Sequence, residues 1–201
     1  GKKNLPRLSI ESVNAFKVFS LCREREFEQL ADYVLGAIHP LAAGGADMVG
    51  LTGNTPNIVL DRILPLSPVP IVSAIDATCN AAQERGARKV GLLGTVFTMT
   101  NTFFKTPFED RGIQVIVPSE HQIAQIQAKI EAELEHGLVK ESTRQEFVAI
   151  IQDLQQREGI DHVALACTEL PLILGDRNSP VPCLDTVEIH VEALVRAVLS
   201  S

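Results

Sequence analysis

Asp161-His162-Val163-Ala164-Leu165-Ala166-Cys167 reads as a short buried strand. It repeats an earlier stretch, Asp47-Met48-Val49-Gly50-Leu51-Thr52-Gly53, at an offset of 114 (161 − 47). The shared pattern is an Asp, apolar residues at alternate positions, then Gly or Cys at the strand end. Gly45 and Gly159 stand two residues before each Asp. Downstream, Pro68-Val69-Pro70 returns as Pro180-Val181-Pro182, and Asp76 as Glu188, at an offset of 112 (180 − 68). Self-similarity at a fixed spacing marks a duplicated unit. Gly53 and Cys167 are therefore equivalent positions, one in each copy.

Working outward, strands are expected at 7–13, 48–53, 70–75, 90–95, 114–118, 162–167 and 182–185. The first rests on the alternation of Leu8, Ile10 and Ser12. Leu30, Ala31, Val34, Leu35 and Ile38 have helical spacing, and Gly44-Gly45 ends that helix. Another helix is expected at 76–85, stopped by Gly86. Ser119 with Gln122, and Ser142 with Gln145, read as capping boxes of helices running to about His136 and Glu158. A closing helix spans 186–199. Strands alternating with helices predict an α/β fold of two pseudo-symmetric halves with mainly parallel sheets. The first half takes residues 1–76 plus 186–201, the second 77–185. The second shows four strands and the first only three. By the repeat, the partner of 90–95 would lie about 20 residues ahead of Gly1. The start, Gly1-Lys2-Lys3-Asn4, lacks an initiator Met, so the expectation is a chain without its natural opening strand. Two such halves are expected to face each other across a cleft lined by the carboxyl ends of their strands.

Composition narrows the function. The 201 residues are 45% hydrophobic and 21% charged, the balance of a packed protein rather than a disordered one. Net charge is −7, from 18 basic against 25 acidic residues, and the basic ones are scattered, which argues against nucleic acid. No apolar run reaches the roughly 18–20 residues of a membrane span, and no secretory leader is visible. Cys22, Cys79, Cys167 and Cys183 form no C-x-x-C pair, and the five histidines form no metal-binding pair. Reduced thiols in a cytoplasmic protein, with no bound metal, are the expectation.

Cys167 ends a strand just before a predicted helix start, a place that favours the reactive thiolate. The plainer reading is a buried cysteine packing as a small hydrophobe. Asn54, Thr55, Thr95 and Thr98 offer amides and hydroxyls at strand ends, suited to a small carboxylate, although turn and cap chemistry explains most such residues. His190, early in the last helix, reads alone as structural. Cys79 and Cys183 are expected in the core, and Cys22 in a loop or at the surface. The glutamate-rich stretch 131–135 reads as a solvated helix face.

Gly53-Asn54-Thr55-Pro56, Gly94-Thr95-Val96-Phe97-Thr98-Met99, Cys167-Thr168-Glu169-Leu170-Pro171 and Asp185-Thr186 with His190 together resemble the aspartate/glutamate racemase family. The resemblance runs over nearly the whole chain. It implies catalysis without pyridoxal phosphate or any other cofactor, in a homodimer. It implies a cysteine in each half, on opposite faces of the substrate Cα, one removing the α-proton and the other returning one. Carried over, Cys167 is the second of the pair. Asn54, Thr55, Thr95, Thr98, Thr168 and Glu169 would bind the amino acid, and His190 would support the site. Lys140, after Gly137-Leu138-Val139, resembles the basic position used near a side-chain carboxylate.

Three departures qualify this. The first cysteine position is Gly53, the His of the N-T-x-H motif is Asn57, and the opening Gly-rich segment is absent. The expected function is α-proton transfer on a small acidic amino acid, impaired by Gly53. A one-base decarboxylase, which resembles this pattern in having a single thiol opposite a glycine, is one alternative. A non-catalytic binder of amino acids or dicarboxylates is the other.

Overall fold

The computed structural model describes residues 7–200. The start of the chain and its unusual first residues lie outside that range. The protein divides into two compact units. One holds the described residues up to Ser73 together with the chain from Val191, and the other is Ala74–His190.

In the first unit, helix α1 (Ala15–Arg23) is capped by Asn14, whose side chain accepts from the Lys17 amide at 3.3 Å. Helix α2 (Phe27–Ala43) buries the expected stripe Leu30, Ala31, Val34, Leu35 and Ile38 and ends at Gly44. Gly45, at φ 88°, turns the chain in the left-handed region. Strand β1 (Val49–Gly50) leads through a 3-10 turn at Thr55–Val59 to α3 (Leu60–Ile63), and β2 (Ile71–Val72) returns parallel to β1. The expected strand at 7–13 does not form: residues 7–14 are irregular, with Leu8 and Ile10 84% and 81% exposed. Alternation alone makes no strand, because a strand is stabilised by its ladder, and among the described residues none pairs with this segment. Cys22, expected at the surface, is buried on the inner face of α1, a helix the sequence reading missed.

The second unit begins with α4 (Ala74–Glu84) and β3 (Lys89–Gly94). Short helices α5 (Val96–Thr100) and α6 (Thr106–Glu109) precede β4 (Gln114–Ile116). Then come α7 (Glu120–Ala132), α8 (Glu141–Glu158), β5 (His162–Ala166), β6 (Cys183–Asp185) and α9 (Thr186–Ser200), whose later part belongs to the first unit. The four strands form a parallel sheet in the order β4-β3-β5-β6. Ser119 and Gln122 make the expected capping box. Ser142 caps nothing; α8 already starts at Glu141, with Lys140 at the cap position. Every residue of β5 is buried, and Phe104, Phe108, Phe147, Leu92, Ile126 and Ile151 pack in the same core. Runs apolar on both faces suit a sheet covered on both sides.

The repeat is visible in the backbone. Val49 pairs with Ile71 as Val163 pairs with Cys183, and Gly50 with Val72 as Ala164 with Leu184. The Val49 amide donates to the Pro70 carbonyl at 3.0 Å, and the Val163 amide to the Pro182 carbonyl at 3.0 Å. The Ser67 and Ser179 hydroxyls make the same turn, donating to the Val69 and Val181 carbonyls at 2.6 and 2.7 Å. The two Asp residues differ. Asp161 accepts from the Arg88 and Lys89 amides at 3.0 and 3.2 Å, stapling β5 to the start of β3, whereas Asp47 is exposed.

Gly94 marks a close approach of β3 to β5. A Cβ there would meet the Ala166 carbonyl oxygen at 3.0 Å and Thr98 Cβ at 3.3 Å. Backbone cannot move aside as a side-chain tip can. Gly94→Ala is expected to cost about 1–3 kcal/mol, read as a fall in Tm of about 3–8 °C by calorimetry. An unchanged Tm would mean that β3 and β5 are not packed this tightly.

Candidate active site

Three strand ends of the second unit carry the residues singled out by sequence. β3 runs into Thr95, β5 into Cys167 and β6 into Asp185. In parallel sheets this carboxyl edge is where ligands bind.

Cys167 is 8% exposed, and its Sγ donates to Glu169 Oε2 at 2.9 Å. The Thr168 hydroxyl donates to the other oxygen, Glu169 Oε1, at 2.6 Å. Glu169 therefore holds both neighbours. Burial, reinforced by the hydrogen bond to Glu169, pushes the Cys167 thiol up to about 12. The expectation of a helix-stabilised thiolate is overturned. The chain beyond Glu169 forms a 3-10 turn of three residues, Leu170–Leu172, too short to supply an appreciable dipole. The resting sulfur is a protonated thiol with a carboxylate as acceptor. Replacing Glu169 by Gln removes the negative charge and the obligate acceptor, which lowers the thiol. Alkylation of Cys167 by iodoacetamide at pH 8.5 is expected to quicken about tenfold in Glu169→Gln. Cys79, itself pushed up to about 12 by burial, serves as the unchanged internal control. A Cys167 rate that stays level in the variant would show that Glu169 does not govern the sulfur.

Thr95 caps α5, accepting from the Thr98 amide at 3.3 Å, and the two hydroxyls lie 3.2 Å apart. Thr98 is 1% exposed, so of the pair Thr95 is the one that reaches the surface. The Thr186 hydroxyl donates to the Leu165 carbonyl at 2.9 Å, fixing the start of α9 against β5 two residues before the thiol. His190, one turn later, is 6% exposed and buried on the same helix.

Lys140 borders a cavity of about 680 Å³ within this unit, together with Arg144, Pro171, Asp176, Asn178 and Asp185. Its Nζ lies 3.2 Å from Glu133 Oε1. Glu133 is not the solvated residue expected of the 131–135 stretch. It is 7% exposed and also accepts from the Thr143 hydroxyl and from Lys129 Nζ at 3.3 Å. Thr143 first, then the two lysines, hold its carboxyl below the usual range despite burial. Glu135, two residues on, lies close enough to Cys167 to act on it electrostatically.

In the first unit, Gly53, Asn54 and Thr55 form the turn after β1. The buried Asn57 side chain donates to the Gly53 carbonyl at 2.9 Å and the Asn54 carbonyl at 3.1 Å, which orders that turn. In the sequence, Asn57 stands out only as a departure from the family pattern. Its i, i+3 and i, i+4 spacing to the two carbonyls is the local signal that was available. Gly53 lies outside the left-handed region, and a Cβ there would meet only Pro56 Cδ, at an ordinary 3.6 Å. A side chain fits at this position. Among the described residues, no group of His, Cys, Asp and Glu is placed to hold a metal, and no helix is long and apolar enough to cross a membrane.

The chain is similar to several known proteins. An aspartate racemase homologue from Pyrococcus horikoshii superposes with a TM-score of 0.88 at 33% identity, over 99% of this chain and 86% of that one. A curated glutamate racemase from Haemophilus ducreyi is 28% identical over 68% of this chain, which spans half of that protein's length. A glycine-to-cysteine mutant of arylmalonate decarboxylase shares the fold, with a TM-score of 0.58 at 14% identity, over 85% of this chain and 75% of that one. Residues 2–194 match the Asp/Glu/Hydantoin racemase family, and the chain belongs to that family.

Proposed function

We propose that the protein transfers a proton at the α-carbon of a small acidic amino acid, with Cys167 as its one catalytic thiol. The observation that carries this is the Cys167–Glu169 pair at the end of β5, set against Gly53 at the equivalent place in the other copy. When the sulfur acts as acid, its proton goes to the carbanion carbon. When it acts as base, its own proton passes first to Glu169 Oε2, and the sulfur then takes the α-proton. Thr95 and Thr168 would bind the carboxylate and amino group, a role the family resemblance also gives Asn54 and Thr55, and Lys140 the side-chain carboxylate. Thr98 and His190 support their neighbours from buried positions. The proton moves between side chains, without pyridoxal phosphate. A homodimer in the cytoplasm is the setting this reading adopts from the resemblance.

Racemisation needs an acid on each face of the α-carbon. Gly53 supplies none, so wild-type turnover is expected to be feeble or confined to one enantiomer. A resting thiol without a counterpart also suits a one-base reaction. In that second reading a malonate-type substrate loses CO₂, and Cys167 protonates the enediolate from one side.

Proton magnetic resonance in D₂O separates the readings. Loss of the Cα–H signal of aspartate or glutamate supports the first, and CO₂ release from a substituted malonate the second. Binding of aspartate with neither reaction would show a carboxylate binder and end the catalytic reading.

A further inference from the structure

Glu133 is a buried carboxylate at the C-terminal end of α7 that no step above uses. Its three donors come from three places: Lys129 from α7, Thr143 from α8 and Lys140 from the cap of α8. They are not equivalent. Lys129 is also paired to Glu146 at 3.3 Å, and Thr143 is fully buried. Lys140 has a side chain 54% exposed and stands on the cavity wall. An ammonium has three N–H donors, so the single bond to Glu133 leaves two for a ligand. In the preceding segment the Leu138 amide donates to the Glu133 carbonyl at 2.9 Å, while the Leu138 and Val139 side chains are exposed. Arg144, another cation on the same wall, is already paired with Glu141.

We propose that Glu133, braced by Thr143, is the positioning residue that holds Lys140 on the cavity wall for the side-chain carboxylate of an acidic substrate. This rests on the acidic-substrate reading above and adds its specificity device. Glu133 touches no substrate. It lowers the entropy lost when a long, exposed lysine is ordered around an anion, so its effect passes entirely through Lys140.

A double-mutant cycle read by titration calorimetry tests this, with L-aspartate and, as the uncharged comparison, L-asparagine. Glu133→Gln and Lys140→Met are each expected to weaken aspartate about tenfold, the scale of one charge-assisted hydrogen bond, and to leave asparagine unchanged. The double variant should be no weaker than Lys140→Met alone. Thr143→Val, which keeps both charges, should give a smaller loss of the same kind and covers the case in which Glu133→Gln fails to fold. Losses that add in the double variant, or that fall equally on asparagine, would make Glu133 merely structural and overturn the proposal. So would wild-type affinity in both Glu133→Gln and Thr143→Val while Lys140→Met is weakened. Failure of the wild-type protein to bind aspartate or glutamate at all would instead sink the acidic-substrate reading, and this inference with it.

Discussion

Gly53→Cys is expected to racemise aspartate or glutamate on the order of a hundredfold faster than wild type, within the range that one positioned acid or base contributes. The repeat pairs Gly53 with Cys167 at an offset of 114 (167 − 53), and the backbone registers of the two copies agree with that pairing. The new side chain meets only Pro56 Cδ at 3.6 Å, without left-handed strain, so the substitution should not disturb the fold. Adding Cys167→Ala should abolish the gain, because either thiol alone leaves one face unserved. Circular dichroism of the substrate over time reads both results. A wild-type rate already typical of an enzyme would mean that another group protonates the far face.

Cys167→Ala alone is expected to lower deuterium exchange at the substrate Cα by about 10²–10⁴-fold, to the background of buffer. Cys183→Ala, which also removes a buried thiol at a strand of the same sheet, is the control and should leave exchange in place. Equal losses in the two variants would point to damage to the sheet rather than to lost chemistry.

Local signals in the sequence were faithful where a short stretch decides the outcome. The duplicated D-x-V-x-L pattern located β1 and β5, and the Ser119–Gln122 spacing located the start of α7. They failed where the outcome depends on distant partners. Residues 7–13 alternate like a strand but find no ladder. Cys22 is buried because α1 packs its Val18, Leu21 and Cys22 face inward, which composition around it does not announce. Burial and the Glu169 carboxylate folded back onto Cys167 favour the neutral thiol, against the thiolate that the strand-end position suggested. Glu133 lies among exposed glutamates in the sequence and is distinguished by its burial and by its contacts with Lys129, Lys140 and Thr143. Chemistry-bearing residue types were legible; their charge state and tethering were set by tertiary contact.

The most direct test of a single-thiol account tracks deuterium entering the Cα of L- and D-aspartate separately in D₂O, with chiral chromatography of the product. Wild-type protein is expected to label one enantiomer, Cys167→Ala to lose the label, and the labelled product to keep its handedness. Labelling of both enantiomers with inversion, or labelling that survives Cys167→Ala, would contradict it.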